Sequence, residues 1–356
     1  MMTRTIDNIN EISIDWLIGT LSGVEEFQDD KIVDLTVKQI GEGIGQLGEF
    51  ALLETKRASG LETKIFAKVQ TANEDLDNVA RDYQFYLREV RFYENLANKI
   101  SVKTPTPYYV EHDAETGRVI LLLEFLDNWY NPDQIEGASK VEIDLAIEGL
   151  IPITTQFWGT IKQLDWVPDM KERYMLKLVD DMVEFQPEFL RRFGHLMSPS
   201  RREILSKIVA YYPKFPDIFS EGLLTLAHWD YRVENLFFTP EVDDISVIDW
   251  QLMMAHKPGW DLAYLLCTNV QIDLRREIYD ESCRKYLQGI AARGIEFSAE
   301  ELEKYMMLSL LAMTCFAVIG GSNYDLDNAR SRQLFEALTE RIFSAIEDYN
   351  AMRLIA

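Results

Sequence analysis

The chain has 356 residues, 47% of them hydrophobic and 27% charged, a composition of ordinary globular proteins and a length that suits two lobes sharing a cleft. Its 59 acidic and 36 basic residues leave a net charge of −23, spread along the chain rather than gathered in a tail. A field of that sign disfavours nucleic acid and anionic membrane surfaces as partners and favours neutral or cationic ones.

Three distant cysteines, Cys267, Cys283 and Cys315, show no metal-ligand spacing and argue against a disulfide framework. The first sixteen residues lack the apolar core of a signal peptide. The longest apolar run, Met306 to Ile319, is broken by Ser309 and Thr314 and is too short to span a bilayer, so it reads as a buried helix. A cytoplasmic protein without membrane insertion is expected.

In chain order, Ile32 to Ile40 reads as a strand, and a glycine cluster follows it. Phe50 to Thr55 and Leu61 to Val69 read as two more strands, joined by the turn Arg57-Ala58-Ser59-Gly60. Asp75 to Lys99 carries a helical apolar stripe, Val79, Tyr83, Tyr86, Val90, Tyr93 and Ala97, and Thr104-Pro105-Thr106-Pro107 stops it. Tyr108 to Val110 and Val119 to Phe125 form a hairpin around Asp113 to Gly117. From Val141 helices dominate, apart from a hairpin of Leu236 to Phe238 with Ile245 to Trp250. The pattern predicts an α+β, bilobal chain: a small β-rich lobe over 1–126 and a larger, mostly helical lobe over 127–356.

Gly43-Ile44-Gly45-Gln46-Leu47-Gly48 fits G-x-G-x-x-G. A dinucleotide loop opens a helix, but Phe50 to Glu54 reads as a strand. Strand, glycine loop, strand is the arrangement that lays backbone amides over nucleotide phosphates in kinases; a glycine-rich hairpin without ligand produces the same triplet. Lys68 alternates with Ala67 and Val69, so it lies on the other face of its strand, where an ammonium can neutralise phosphate oxygens. Glu89 falls in the apolar stripe of Phe85, Phe92 and Leu96, where a carboxylate needs a partner. Lys68 is the natural one, with Glu94 and Asp82 as alternatives to Glu89.

The sharpest motif is His228-Trp229-Asp230-Tyr231-Arg232-Val233-Glu234-Asn235, followed across the hairpin by Val247-Ile248-Asp249. Asp230 can accept or orient the proton of an attacking hydroxyl. Asn235 and Asp249 supply oxygen ligands suited to magnesium on triphosphate oxygens. His112, His195 and His256 have no partner at ligand spacing, and His256 reads as a surface or structural histidine. Trp158, Trp166 and Trp260 could line a pocket but read mostly as core.

The ordered series resembles the aminoglycoside phosphotransferase and choline kinase superfamily, including its ecdysteroid-kinase-like branch, from the glycine loop to at least Leu266. The resemblance implies a protein-kinase-like fold with ATP between the lobes and transfer of its γ-phosphate to a small-molecule hydroxyl. It implies that Gly43, Gly45, Gly48 and Lys68 bind phosphates, with Glu89 pairing the lysine. It makes Leu123-Glu124-Phe125-Leu126 the adenine hinge, through Glu124 and Leu126. Asp230 becomes the catalytic base in the motif opened by His228, and Asn235 and Asp249 become the Mg²⁺ ligands. Asp261, in Pro258-Gly259-Trp260-Asp261-Leu262-Ala263-Tyr264, supports the catalytic loop.

Two departures stand out. Trp229 occupies a position where many members have glycine, and Trp250-Gln251 follows the metal aspartate where protein kinases have Phe-Gly. The short stretch from Asp249 to Pro258 leaves no room for a protein-kinase activation loop, which disfavours a protein substrate. The acceptor is expected to be small, and cationic or bulky and apolar. The alternative is a nucleotide-binding pseudokinase with a regulatory or scaffolding role.

Overall fold

Ser13 opens the first helix, α1 (Ile14–Leu21), by accepting the Trp16 N–H, and α2 (Glu25–Gln28) follows. In this computed structural model residues 6–41, 47–323 and 327–355 are described. Gly43 and Gly45 of the glycine loop lie outside them. The chain divides into two units: Met1–Lys99 with Thr104–Trp129 and Ile248–Leu252, and Ile100–Lys103 with Tyr130–Val247 and Met253–Ala356.

The first unit is built on an antiparallel sheet of β1 (Ile32–Ile40), β2 (Glu49–Arg57), β3 (Glu62–Val69), β4 (Pro107–His112) and β5 (Val119–Glu124), in the order β1-β2-β3-β5-β4. Gly60, at φ +93°, lets the β2–β3 connection close by donating its N–H to the Arg57 carbonyl. Alternation along β3 sends Ile65, Ala67 and Val69 to one face, where they pack with Leu17, Leu21, Phe27, Leu53, Ile120 and Leu122. Lys68 is left on the other face, and it too is buried.

One helix was expected from Asp75 to Lys99, but the structure has two, α3 (Glu74–Asp82) and α4 (Phe85–Asn95). Gln84, in the left-handed region at φ +57°, separates them. The change of direction leaves α3, which has three acids in its first turn, with Ala80 as its one buried residue. It lets α4 bury Phe85, Tyr86, Glu89, Val90, Phe92 and Tyr93.

The second unit is mainly helical. A reciprocal Ser139–Glu142 cap starts α5 (Lys140–Gln156). There follow α6 (Arg173–Phe193), α7 (Pro199–Tyr211) and α8 (Phe215–Ser220), then four short strands, β6 (Thr225–Ala227), β7 (Leu236–Phe238), β8 (Ile245–Val247) and β9 (Met254–His256). β7 pairs with β8, and β6 with β9, both antiparallel. Every residue of α9 (Trp260–Thr268) is buried. Against it pack α10 (Ile272–Ala291), α11 (Ala299–Ala312) and α13 (Ala329–Asp348), while α12 (Gly321–Asn323) packs on α6.

The apolar run expected to be too short for a bilayer belongs to a longer helical stretch. Ala299–Asn323, which includes a π-helical turn over Phe316–Gly320, has the length and composition to cross a membrane, yet 78% of its most apolar window is buried inside the protein. Ser309 and Thr314 do not break it. Both are buried, and Thr314 Oγ1 donates to the Leu311 carbonyl of the preceding turn.

Candidate active site

The expected site residues fall into two sets, one in each unit. In the first unit β3 presents Lys68 to α4. Lys68 Nζ donates to Glu89 Oε2 at 2.6 Å, and both side chains are nearly sealed from solvent. Glu89, rather than Glu94 or Asp82, is therefore the partner of the lysine. Asp249 Oδ1 lies 3.6 Å from the same ammonium. Burial works against the charge on Lys68, but the carboxylates of Glu89 and Asp249 outweigh it and hold the ammonium above its usual range. Gly48, the described glycine of the loop, is packed beside this lysine: a Cβ there would sit 3.1 Å from the Val69 carbonyl oxygen and 3.3 Å from Lys68 Cε.

Asp249 has φ +63°, a conformation that costs a residue with a side chain about 1–2 kcal/mol. Its neighbour supplies the anchor. Trp250 is fully buried and stacks on Phe92, with ring centroids 3.8 Å apart and planes 8° from parallel. Phe92 lies one turn beyond Glu89, so the helix that holds the lysine's partner also holds the residue after Asp249. This is what tryptophan does where protein kinases carry phenylalanine. The stack was not foreseen; the clue was a second large aromatic on the Glu89 stripe.

Glu124 ends β5, and its register partner Ile65 lies three residues before Lys68 on β3. Its N–H donates to the Thr106 carbonyl, and its Oε2 accepts from the Thr106 N–H and hydroxyl. Among the described residues the Leu126 N–H finds no hydrogen-bond partner, so it is a donor available to a planar base.

In the second unit the segment from His228 to Asn235 links β6 to β7 and rests on α9. The Asp261 carboxylate accepts the His228 N–H at 2.8 Å through Oδ2 and the Trp229 N–H at 2.9 Å through Oδ1. Asn235 Nδ2 donates to the Asp230 carbonyl at 2.9 Å and to Asp230 Oδ2 at 3.1 Å. Tyr264 donates its hydroxyl to Asp230 Oδ1 at 3.1 Å, and Arg232 Nε lies 3.5 Å from Oδ2. Asn269, just past α9, accepts the Val233 N–H at 3.0 Å. The expected support from Asp261 is thus a pair of hydrogen bonds. Those from Tyr264 and Asn269 were missed, although Tyr264 stands at i+3 from Asp261 and so shares its helix face. His228 is fully buried, its ring edge-on to Tyr231.

Trp229 does not project from the loop. It is 2% exposed, stacks on Trp260 at 5.3 Å and 6°, and meets Phe316 edge-on at 5.3 Å. Its φ of +72° explains why glycine suits this position in the resembled family. Of the three tryptophans read mostly as core, Trp260 is buried, whereas Trp158 and Trp166 are half-buried. His256, between Phe219 and Trp260 at 4.5 Å from each ring, is structural, and burial pushes its imidazole down to about 3.

Each unit by itself holds an oxygen of the kind magnesium takes. Asp249 Oδ1 is buried without a hydrogen-bond donor, and Asn235 commits its Nδ2 to Asp230, which leaves its Oδ1 as an acceptor. Carboxylate and amide oxygens are the ligands a hard cation takes, with substrate phosphates completing its shell. Among the described residues no group of three His, Cys, Asp or Glu side chains converges as a metal cage.

Burial pushes the Asp261 carboxyl up to about 7, against the two N–H groups that draw it down. The unfolded chain releases this proton near pH 4, about the ordinary aspartate value, and the folded chain keeps it to about 7. The stability from the protonated carboxyl is therefore complete below that lower value and is lost as the pH rises through the upper one. Asp261→Asn offers one oxygen to two donors and should lose about 1–3 kcal/mol. Urea unfolding across this range should show the deficit shrinking as the pH rises, because the variant does not titrate there.

The profile of the ecdysteroid kinase-like family matches residues 160–293. No curated protein matches the chain significantly. Solved structures do. A choline kinase from Cryptosporidium parvum Iowa II aligns with a TM-score of 0.55 and 13% identity, over 96% of this chain and 98% of that one. An aminoglycoside 2'-phosphotransferase-IIIa in complex with GDP aligns at 0.54 and 14%, over 93% and 99%. A putative aminoglycoside phosphotransferase from Ralstonia eutropha JMP134 aligns at 0.52 and 16%, over 92% and 96%. At such identities the likeness is one of fold. The chain has the protein-kinase-like fold in the form seen in aminoglycoside phosphotransferases and choline kinases, and its residues 160–293 are similar to the ecdysteroid kinase-like family.

Proposed function

We propose that the protein is an ATP- and magnesium-dependent phosphotransferase that moves the γ-phosphate to the hydroxyl group of a small molecule. The observation that carries this reading is the Asp230 carboxylate, fixed by Asn235 and Tyr264 on a loop whose backbone is clamped by Asp261. That arrangement suits a group which must accept a hydrogen bond from an alcohol in one direction. The buried Lys68–Glu89 pair supports it, because an ammonium held charged by two carboxylates is ready to meet phosphate oxygens.

In this reading Lys68 and the backbone around Gly48 bind the nucleotide phosphates, and the Leu126 N–H binds the base. Asp249 and Asn235 would hold magnesium, which neutralises phosphate charge when bound. Asp230 orients the acceptor hydroxyl and takes its proton as the oxygen bonds to phosphorus. The solved GDP complex of the 2'-phosphotransferase is in keeping with a nucleoside phosphate as donor.

The acidic chain favours a cationic acceptor, such as an amino alcohol or amino sugar. The similarity to the ecdysteroid kinase-like family brings in a bulky apolar alcohol. Trp229 was the reason to consider a pseudokinase. Its ring packs on Trp260 and Phe316 while Asp230 keeps both hydrogen bonds, which supports the active reading. The test is detection of a phosphorylated product from ATP, magnesium and a panel of amino alcohols, aminoglycosides, steroids and macrolides.

A further inference from the structure

The helix α9 holds the loop from His228 to Asn235 at successive points. Asp261 takes two backbone N–H groups, and Asn269 takes a third at Val233. Tyr264 instead donates to a side-chain oxygen, Asp230 Oδ1. Asp261 and Tyr264 are three residues apart on one face of a wholly buried helix, so their spacing is rigid. The Tyr264 ring is itself fixed against Phe316, with centroids 5.0 Å apart. Burial holds its phenol far above the usual titration range, so the hydroxyl is a donor and the Asp230 oxygen its acceptor.

The other Asp230 oxygen accepts from Asn235 Nδ2. Two neutral donors from separate elements therefore pin the two oxygens of one carboxylate. The group cannot turn about its terminal torsion without losing one of them, and that torsion is otherwise broad and loosely held. Each oxygen carries a second lone pair, so Oδ1 can still accept from an alcohol while Tyr264 occupies the first. Arg232, on the loop, is the cation facing the carboxylate, and Asp261, on α9, is the neighbouring acid.

We infer that Tyr264 is a positioning residue for phosphoryl transfer: its hydroxyl sets the plane of the Asp230 carboxylate and so the direction in which the acceptor hydroxyl is held. The inference rests on the proposed role of Asp230. Tyr264→Phe keeps the ring on Phe316 and removes only the donor. A small misalignment of a reacting group costs on the order of 100-fold in rate, so the variant should lose about 10- to 100-fold in kcat. Its KM for ATP should stay within about twofold, and its melting temperature should stay unchanged. In an Asp230→Asn background the same substitution should add no further loss, since the carboxylate it orients is gone. Wild-type kcat in Tyr264→Phe, beside an inactive Asp230→Asn, overturns the positioning role and leaves the phosphotransferase reading standing. A full additional loss in the double variant also overturns it. An Asp230→Asn protein as active as wild type overturns that reading, and this inference with it.

Discussion

Lys68→Met is expected to reduce phosphoryl transfer by about 10²–10³ and to destabilise the fold at the same time. The first figure is what removal of one preorganised charge-stabilising donor typically does to a rate. The second follows from what the lysine leaves behind. Glu89 is buried beneath it, and Asp249 loses its nearest cation. Breaking a buried ion pair by removing one partner costs about 3–5 kcal/mol, because the remaining charge has no compensation. The two losses have different cures. Adding Glu89→Leu removes the orphaned carboxylate, and apolar replacement of a whole buried pair is often close to neutral. The double variant should regain stability in urea unfolding and remain inactive. Recovery of transfer together with stability would mean that Lys68 acts only as a structural cation.

Trp229→Gly sets two effects against each other. The backbone at φ +72° favours glycine, and relief of the left-handed conformation is worth about 1–2 kcal/mol. Against this, emptying a buried tryptophan site costs about 3–5 kcal/mol, and Trp260 and Phe316 lose the ring between them. The cavity outweighs the strain, so a net loss of about 1–4 kcal/mol is expected. The Trp260 Nε1–H keeps its acceptor, because that acceptor is the residue 229 carbonyl at 3.0 Å. The backbone N–H bonds to Asp261 also survive, so kcat should fall by less than about tenfold, the equivalent of 1.4 kcal/mol. A rise in kcat would instead show that the tryptophan restrains the loop that carries Asp230.

The sheet of the first unit was legible because its strands alternate and its turns carry Gly60 and Gly117; the first strand runs over the expected Ile32–Ile40. The break at Gln84 was not, since a left-handed residue without glycine or proline leaves no mark in the sequence. β6 and β9 were missed for a related reason. At three residues each they are too short to display a period, and only their pairing defines them. The partnership of Lys68 with Glu89 could be read by combining a strand's alternation with a helix's phase. It survived the splitting of the helix because Phe85, Glu89, Phe92 and Leu96 all lie beyond the break. What sequence motifs could not supply was the underside of the loop from His228 to Asn235. Asp261 was known only by analogy, and Tyr264, Asn269 and the Phe92–Trp250 stack come from packing between distant segments.

The central claim is that Asp230 serves transfer of a nucleotide phosphate to an alcohol. Its most direct test compares formation of the phosphorylated alcohol from ATP and magnesium by the wild-type protein and by Asp230→Ala, at equal folded concentration. Turnover by the wild type and a fall of about 10²–10⁴ in the variant is the predicted result. Equal product formation by both proteins, or ATP binding by the wild type with no transfer to any alcohol in the panel, would contradict it.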